Sequence, residues 1–125
     1  MDGLAELLPE QELLHGLHAG QAETSLMLKM APELVGSDRP VDGHPVPGSA
    51  QEPPDGWSLE GAAPCAWLTD DLSATGVIGD TRQASVDLGR RLEERLIRHW
   101  QELLQTLLAS DWPPSKSRLS TPSKS

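Results

Sequence analysis

Apolar residues recur most regularly between residues 88 and 108. Leu88, Leu92, Leu96, Trp100, Leu103 and Leu107 step by four, four, four, three and four, the signature of one helix face. Ile97, Leu104 and Leu108 widen that stripe, while Arg90, Arg91, Glu94, Arg95 and Arg98 fall mostly off it. Asp80 or Thr81 supplies a cap and Pro113-Pro114 a stop, so the pattern predicts a helix over 80–109. At 1.5 Å per residue that helix spans roughly 45 Å. A stripe of this length requires a large apolar partner surface. A second helix is predicted over 21–31, where Ala, Glu, Leu, Met and Lys dominate and Pro32 follows. Met27, Met30 and Trp100 read as core candidates. Leu4 to Leu14 has near-helical spacing divided by Pro9, an interrupted helix or two turns.

Between the two main helices the pattern dissolves. Residues 36–64 hold eleven Gly or Pro, and 36–61 reads as one long loop. Ala62 to Leu68 is a short apolar run broken by Pro64, which suits an edge strand. Gly76-Val77-Ile78-Gly79-Asp80 places a β-type pair between two glycines. Residues 110–125 are rich in Ser, Pro and Lys and read as a disordered tail. The elements amount to two helices with one to three short strands. The long helix has no matching set of strands to cover.

Composition narrows the function classes. The net charge is -9, from 10 basic and 19 acidic residues, which argues against a nucleic-acid partner and against an anionic membrane surface. No apolar run approaches 18 residues, and the first 15 residues carry acids instead of a positive signal-peptide start. Cys65 is the only cysteine, so a reducing, cytoplasmic setting is the expectation. It reads as a small buried residue instead of a nucleophile. Asp70, Asp71 and Asp80 read as turn and cap acids.

Candidate chemistry concentrates in HGLHAGQAETSLMLKMAPELV, residues 15–35. His15, His18 and Glu23 fall within nine positions, and imidazole and carboxylate suit zinc or manganese. Glu23 sits in the first turn of the predicted helix, where the dipole favours a carboxylate. On residue types alone, a His in a glycine loop and a first-turn Glu are also ordinary structural chemistry.

The stretch HAGQAETSLML, followed by a Pro and ELV, resembles the HAG-x-x-ETS segment of the creatininase family. WLTDDLSATGVIGDTRQASVDLGRRL, residues 67–92, looks like that family's C-terminal segment. There a Trp and an acidic stretch lead to G-V-I/L-G-D, a helix start of small residues and a glycine, here Gly89. The resemblance covers roughly 15–108. It implies an α/β class, with residues 1–109 as the C-terminal part of a layered α/β/α fold whose helices flank a mostly parallel sheet. It implies metal-dependent hydrolysis of a non-peptide C–N amide bond in a small-molecule substrate. The cofactor would be a divalent metal, zinc ahead of manganese, in an enzyme that is oligomeric at full length. His18 matches the HAG histidine, a residue that handles the proton of the amide nitrogen or stabilises the oxygen of the tetrahedral intermediate. Glu23 matches the acid of ETS, a catalytic carboxylate or metal ligand. Thr24 and Ser25 are expected to position the helix.

The departures matter. The family's E-x-G-x-H-x-P and G-H-x-x-N segments, which supply most ligands of its two-metal centre, do not occur, and His44 in DGHPVPG lacks the Asn. The chain therefore reads as truncated, without full activity alone. Members that cleave creatinine carry Trp-Asp where this chain has Leu14 and His15, so creatinine is not the expected substrate. His15 reads as a surface residue, with a substituted pocket residue as the alternative. A reading from another class is a non-enzymatic interaction module that docks through helix 80–109.

Overall fold

The structure, a computed structural model, describes residues 2–43 and 52–114. His44 lies outside the described residues, as do 44–51 of the predicted loop and 115–125 of the predicted tail. The chain divides into two units, Met1–Glu93 and Glu94–Ser125.

In the first unit, α1 (Asp2–Ala5) and α2 (Glu10–His15) are separated at Pro9, which precedes α2 as its N-cap. Pro9 divides the apolar pattern where its ring excludes continuous helix. The third helix, α3 (Gln21–Met30), ends before Pro32, which opens a single 3-10 turn, Pro32–Leu34. A short helix, α4 (Thr69–Leu72), is steadied by Asp71, whose carboxylate accepts the Leu68 N–H at 2.8 Å.

Strand β1 (Val41–Asp42) pairs antiparallel with β2 (Gly79–Asp80), Val41 opposite Asp80 and Asp42 opposite Gly79. On the N-terminal side of β2, Ile78 forms an antiparallel bridge with His18. The Gly76–Asp80 segment therefore ties two distant loops together. The core gathers here: Ile78 is fully buried, with Leu72, Val77, Leu88 and Leu92.

Three expectations from the pattern are corrected. The last helix, α5 (Val86–Ala109), starts later than Asp80 or Thr81. Asp80 Oδ1 accepts the Arg82 N–H, and the Thr81 hydroxyl donates to the Pro40 carbonyl, so both candidate caps are engaged elsewhere. Ser85 takes the role, its hydroxyl accepting the Leu88 N–H at 3.1 Å. Ala62 to Leu68 forms no strand; only Pro64 bridges Ser58. Pro64 has no N–H to donate to a ladder, and the adjacent Cys65 N–H supplies the bond to the Ser58 carbonyl. Met27 and Met30 are exposed instead of core, because the core forms around Ile78.

The second unit comprises the greater part of α5 and the residues after it. Ile97, Trp100, Leu103, Leu104, Leu107 and Leu108 are all exposed. The helix is strongly amphipathic, but the stripe beyond Leu92 is not a buried one. Trp100 is thus also corrected from core to surface.

Candidate functional site

The loop 16–20 joins α2 to α3 and carries His18. Its backbone is fixed by β2's segment: the Leu17 and His18 N–H groups donate to the Ile78 carbonyl, and the Ile78 N–H donates to the His18 carbonyl at 2.8 Å. Ala19 then adopts φ 51°, a left-handed conformation that costs a non-glycine residue energy and needs support from its surroundings.

That support comes from the residues just downstream. Glu23 Oε2 accepts the Ala19 N–H, and the Thr24 hydroxyl donates to the Ala19 carbonyl at 2.9 Å. Both polar backbone groups of the strained residue are thereby satisfied by one turn of α3. Ser25, fully buried, donates its hydroxyl to the Gln21 carbonyl and accepts the Ser85 N–H at 3.0 Å. It links α3 to the start of α5. Gly89 permits this approach: a Cβ there would lie 2.0 Å from the Ser25 carbonyl oxygen. Lys29 and Glu93 add an ion pair between the same helices.

Beneath the loop lies a carboxylate that sequence reasoning missed. Glu12 is buried, and its Oε1 accepts the Ala22 N–H at 2.8 Å. Ala22 is in the first turn of α3, whose N-cap, Gly20, offers no side chain. Glu12 therefore caps α3 from another helix, a favourable place for negative charge. Its carboxylate fills the space where Cβ atoms at Gly16 and Gly20 would fall, 2.5 and 2.7 Å away. Nothing local to Glu12 signals this. The spacing of Gly16 and Gly20 around His18 is the one trace of it in the sequence.

A second carboxylate, Asp42, was also missed. Its Oδ2 accepts bonds from the Ser73 and Thr75 hydroxyls and from the Ala74 and Thr75 N–H groups, and its Oδ1 accepts the Gly43 N–H. The Gly43 N–H, then the Ser73 and Thr75 donors, hold it well below the usual carboxylate range. With every bond made to fixed protein donors, its role is to anchor β1 to the loop after α4.

His18 and Glu23 come together along one groove of about 530 Å³, with Ala19, Thr24, Met27, Met30, Leu34 and Val35 among its walls. Both side chains are exposed. The His18 imidazole has no hydrogen-bond partner among the described residues, and neither has Glu23 Oε1. His15 is half-buried and lines a different cavity of about 550 Å³ with Leu14, Leu17 and Trp57. It is therefore a cavity residue and not open surface. Cys65 is a free, half-exposed thiol and not the buried residue expected from the sequence.

The family model for Creatininase, described as creatinine amidohydrolase, matches residues 1–104. The chain belongs to the creatininase family. Comparison with curated proteins and with solved structures gave no match. Family membership supports an amidohydrolase-type function and a small-molecule substrate, and members of the family are typically metal-dependent. No group of three or more His, Cys, Asp or Glu gathers as a metal site among the described residues. A catalytic zinc site takes three protein ligands, so the described residues do not by themselves complete a zinc site. No helix among them is long and apolar enough to cross a membrane.

Proposed function

We propose that this creatininase-family chain contributes the proton-handling loop of an amidohydrolase that cleaves a small, non-peptide amide. One observation carries the reading. Along residues 18–25, Glu23 and Thr24 hold the loop, Ser25 holds the helix, and the His18 imidazole stands exposed without a partner among the described residues. A ring whose backbone is fixed and whose nitrogens are open suits proton transfer to a bound substrate.

In the reaction, water adds to the amide carbonyl carbon and the C–N bond breaks, giving a carboxylate and an amine. His18 delivers a proton to the departing nitrogen or steadies the oxygen of the tetrahedral intermediate. Glu23 supports the loop with one oxygen and keeps the other open, as a base or as a ligand in the complete site. That complete site draws its remaining donors from beyond the described residues, within a layered α/β/α fold of which residues 1–109 form the C-terminal part. The two-stranded antiparallel sheet described here would be one margin of it. A divalent metal, zinc ahead of manganese, an oligomeric assembly and a cytoplasmic setting belong to the same proposal.

The test is reconstitution. The 125-residue chain alone should bind zinc weakly and leave simple and cyclic amides intact. Fused behind a family half that carries E-x-G-x-H-x-P and G-H-x-x-N, it should gain metal-dependent amide hydrolysis. Tight stoichiometric zinc in the chain alone would show that other residues build the site.

A further inference from the structure

We infer that the groove beside His18 takes the apolar substituent of an amide substrate, laid along Met27, Met30, Leu34 and Val35 with the C–N bond presented to His18. This rests on the amidohydrolase reading above and adds the substrate class to it.

The shelf starts on α3. Glu23, Met27 and Met30 are spaced i, i+4 and i+7 and share one helix face, and all three are exposed. Pro32 stops the helix and opens the 3-10 turn, which adds Leu34 to the wall of the same groove. Met30 and Leu34 are 58% and 73% exposed, so the core makes little use of either. The result is an apolar shelf that begins at the two polar groups of the candidate site. Its volume of about 530 Å³ falls within the range of roughly 300–1,000 Å³ that holds small ligands. Methionine suits such a shelf, because its flexible thioether adapts to irregular apolar shapes.

The polar lining is sparse, and that decides the substrate class. The Thr24 hydroxyl already donates to the Ala19 carbonyl, and one Glu23 oxygen already accepts from the Ala19 N–H. Among the described residues, the open side-chain polar atoms are then the His18 ring and Glu23 Oε1, enough to address one amide group. A compact polar ring such as creatinine would find few partners and leave the shelf in water. An amide with an aliphatic or aryl tail covers the shelf and keeps its polar end at His18.

Two probes that differ only in their tails separate the possibilities: hexanamide and acetamide. The 125-residue chain, carrying ¹³C-methyl methionine, is titrated with each while the Met27 and Met30 methyl signals and the His18 ring protons are followed by NMR. Hexanamide should move all three saturably, with at least tenfold tighter binding than acetamide. Met30→Glu and Leu34→Glu, both exposed positions, should each remove that preference while the backbone amide spectrum elsewhere is retained. Equal binding of the two amides, or a preference that survives both substitutions, overturns the shelf. A His18 response to both amides without preference overturns it and leaves the amidohydrolase reading standing. A methionine response with none at His18 overturns both. Methionine shifts that follow protein concentration, with hexanamide excluded, would show that a second copy covers the groove and would equally overturn the proposal.

Discussion

Gly89 meets the Ser25 carbonyl across the space of a missing methyl group. The contact fixes where α3 passes the first turns of α5, so the smallest side chain is the only one that fits. Gly89→Ala should destabilise the chain by about 1–3 kcal/mol, the range for forcing extra volume into a packed site. Urea unfolding measures it, and an unchanged midpoint would mean that the two helices do not touch there. Glu12 makes a different demand. Its buried carboxylate satisfies the half-buried Ala22 N–H of α3, and a donor left unpaired away from water costs up to about 1–3 kcal/mol. Glu12→Ala should lose stability in that range, whereas Glu12→Gln, which keeps a carbonyl oxygen at the same reach, should lose clearly less. Equal losses for the two variants would deny the hydrogen bond its role.

At the scale of elements, β1 depends on Asp42. The folded-state pKa of this carboxylate is depressed by its donors, so its contribution is fully present above the unfolded value of about 3.9 and is lost as pH falls toward the folded one. Exchange protection of the Thr75 amide should therefore be steady above about pH 5 and weaken as pH falls below about 4. Asp42→Asn should show lower protection at neutral pH and a flatter decline in acid. Parallel acid profiles for the two proteins would contradict this account. How far such elements could be read in advance follows from the range of their interactions. The helix at 21–30 was legible because strong helix formers and Pro32 lie within one short segment. Pro9 likewise announced its own break. The start of α5 was not legible, because Ser85 wins the cap through a hydroxyl at Ser25, sixty positions away. Strand β1 is two residues between Pro40 and Gly43, and its partner lies near residue 80; no local alternation exists to reveal it. The loop at His18 was legible as chemistry from its residue types and family resemblance. Its support by Glu12 was not, since a carboxylate that caps another helix looks locally like any surface Glu.

Across the whole molecule, the same short motif carries both architecture and proposed chemistry. The segment 18–25 binds its own loop through Glu23 and Thr24, joins α3 to α5 through Ser25, and pairs with Ile78 through the His18 backbone. Among the described residues, the His18 ring and Glu23 Oε1 are left over for a substrate. The apolar face from Ile97 to Leu108 is likewise uncommitted among the described residues. The turnover of the reconstituted enzyme carrying His18→Gln, measured together with its metal content and unfolding midpoint, tests the catalytic role of this loop most directly. The loss of a general acid/base predicts a fall of roughly 10²–10⁴-fold in turnover. Metal content should stay near the parent's and stability within about 0.5 kcal/mol of it, as for an exposed side chain with no partner among the described residues. Undiminished turnover in His18→Gln would remove the catalytic role from this loop, and a fall explained by lost metal or lost stability would contradict the division of roles along residues 18–25.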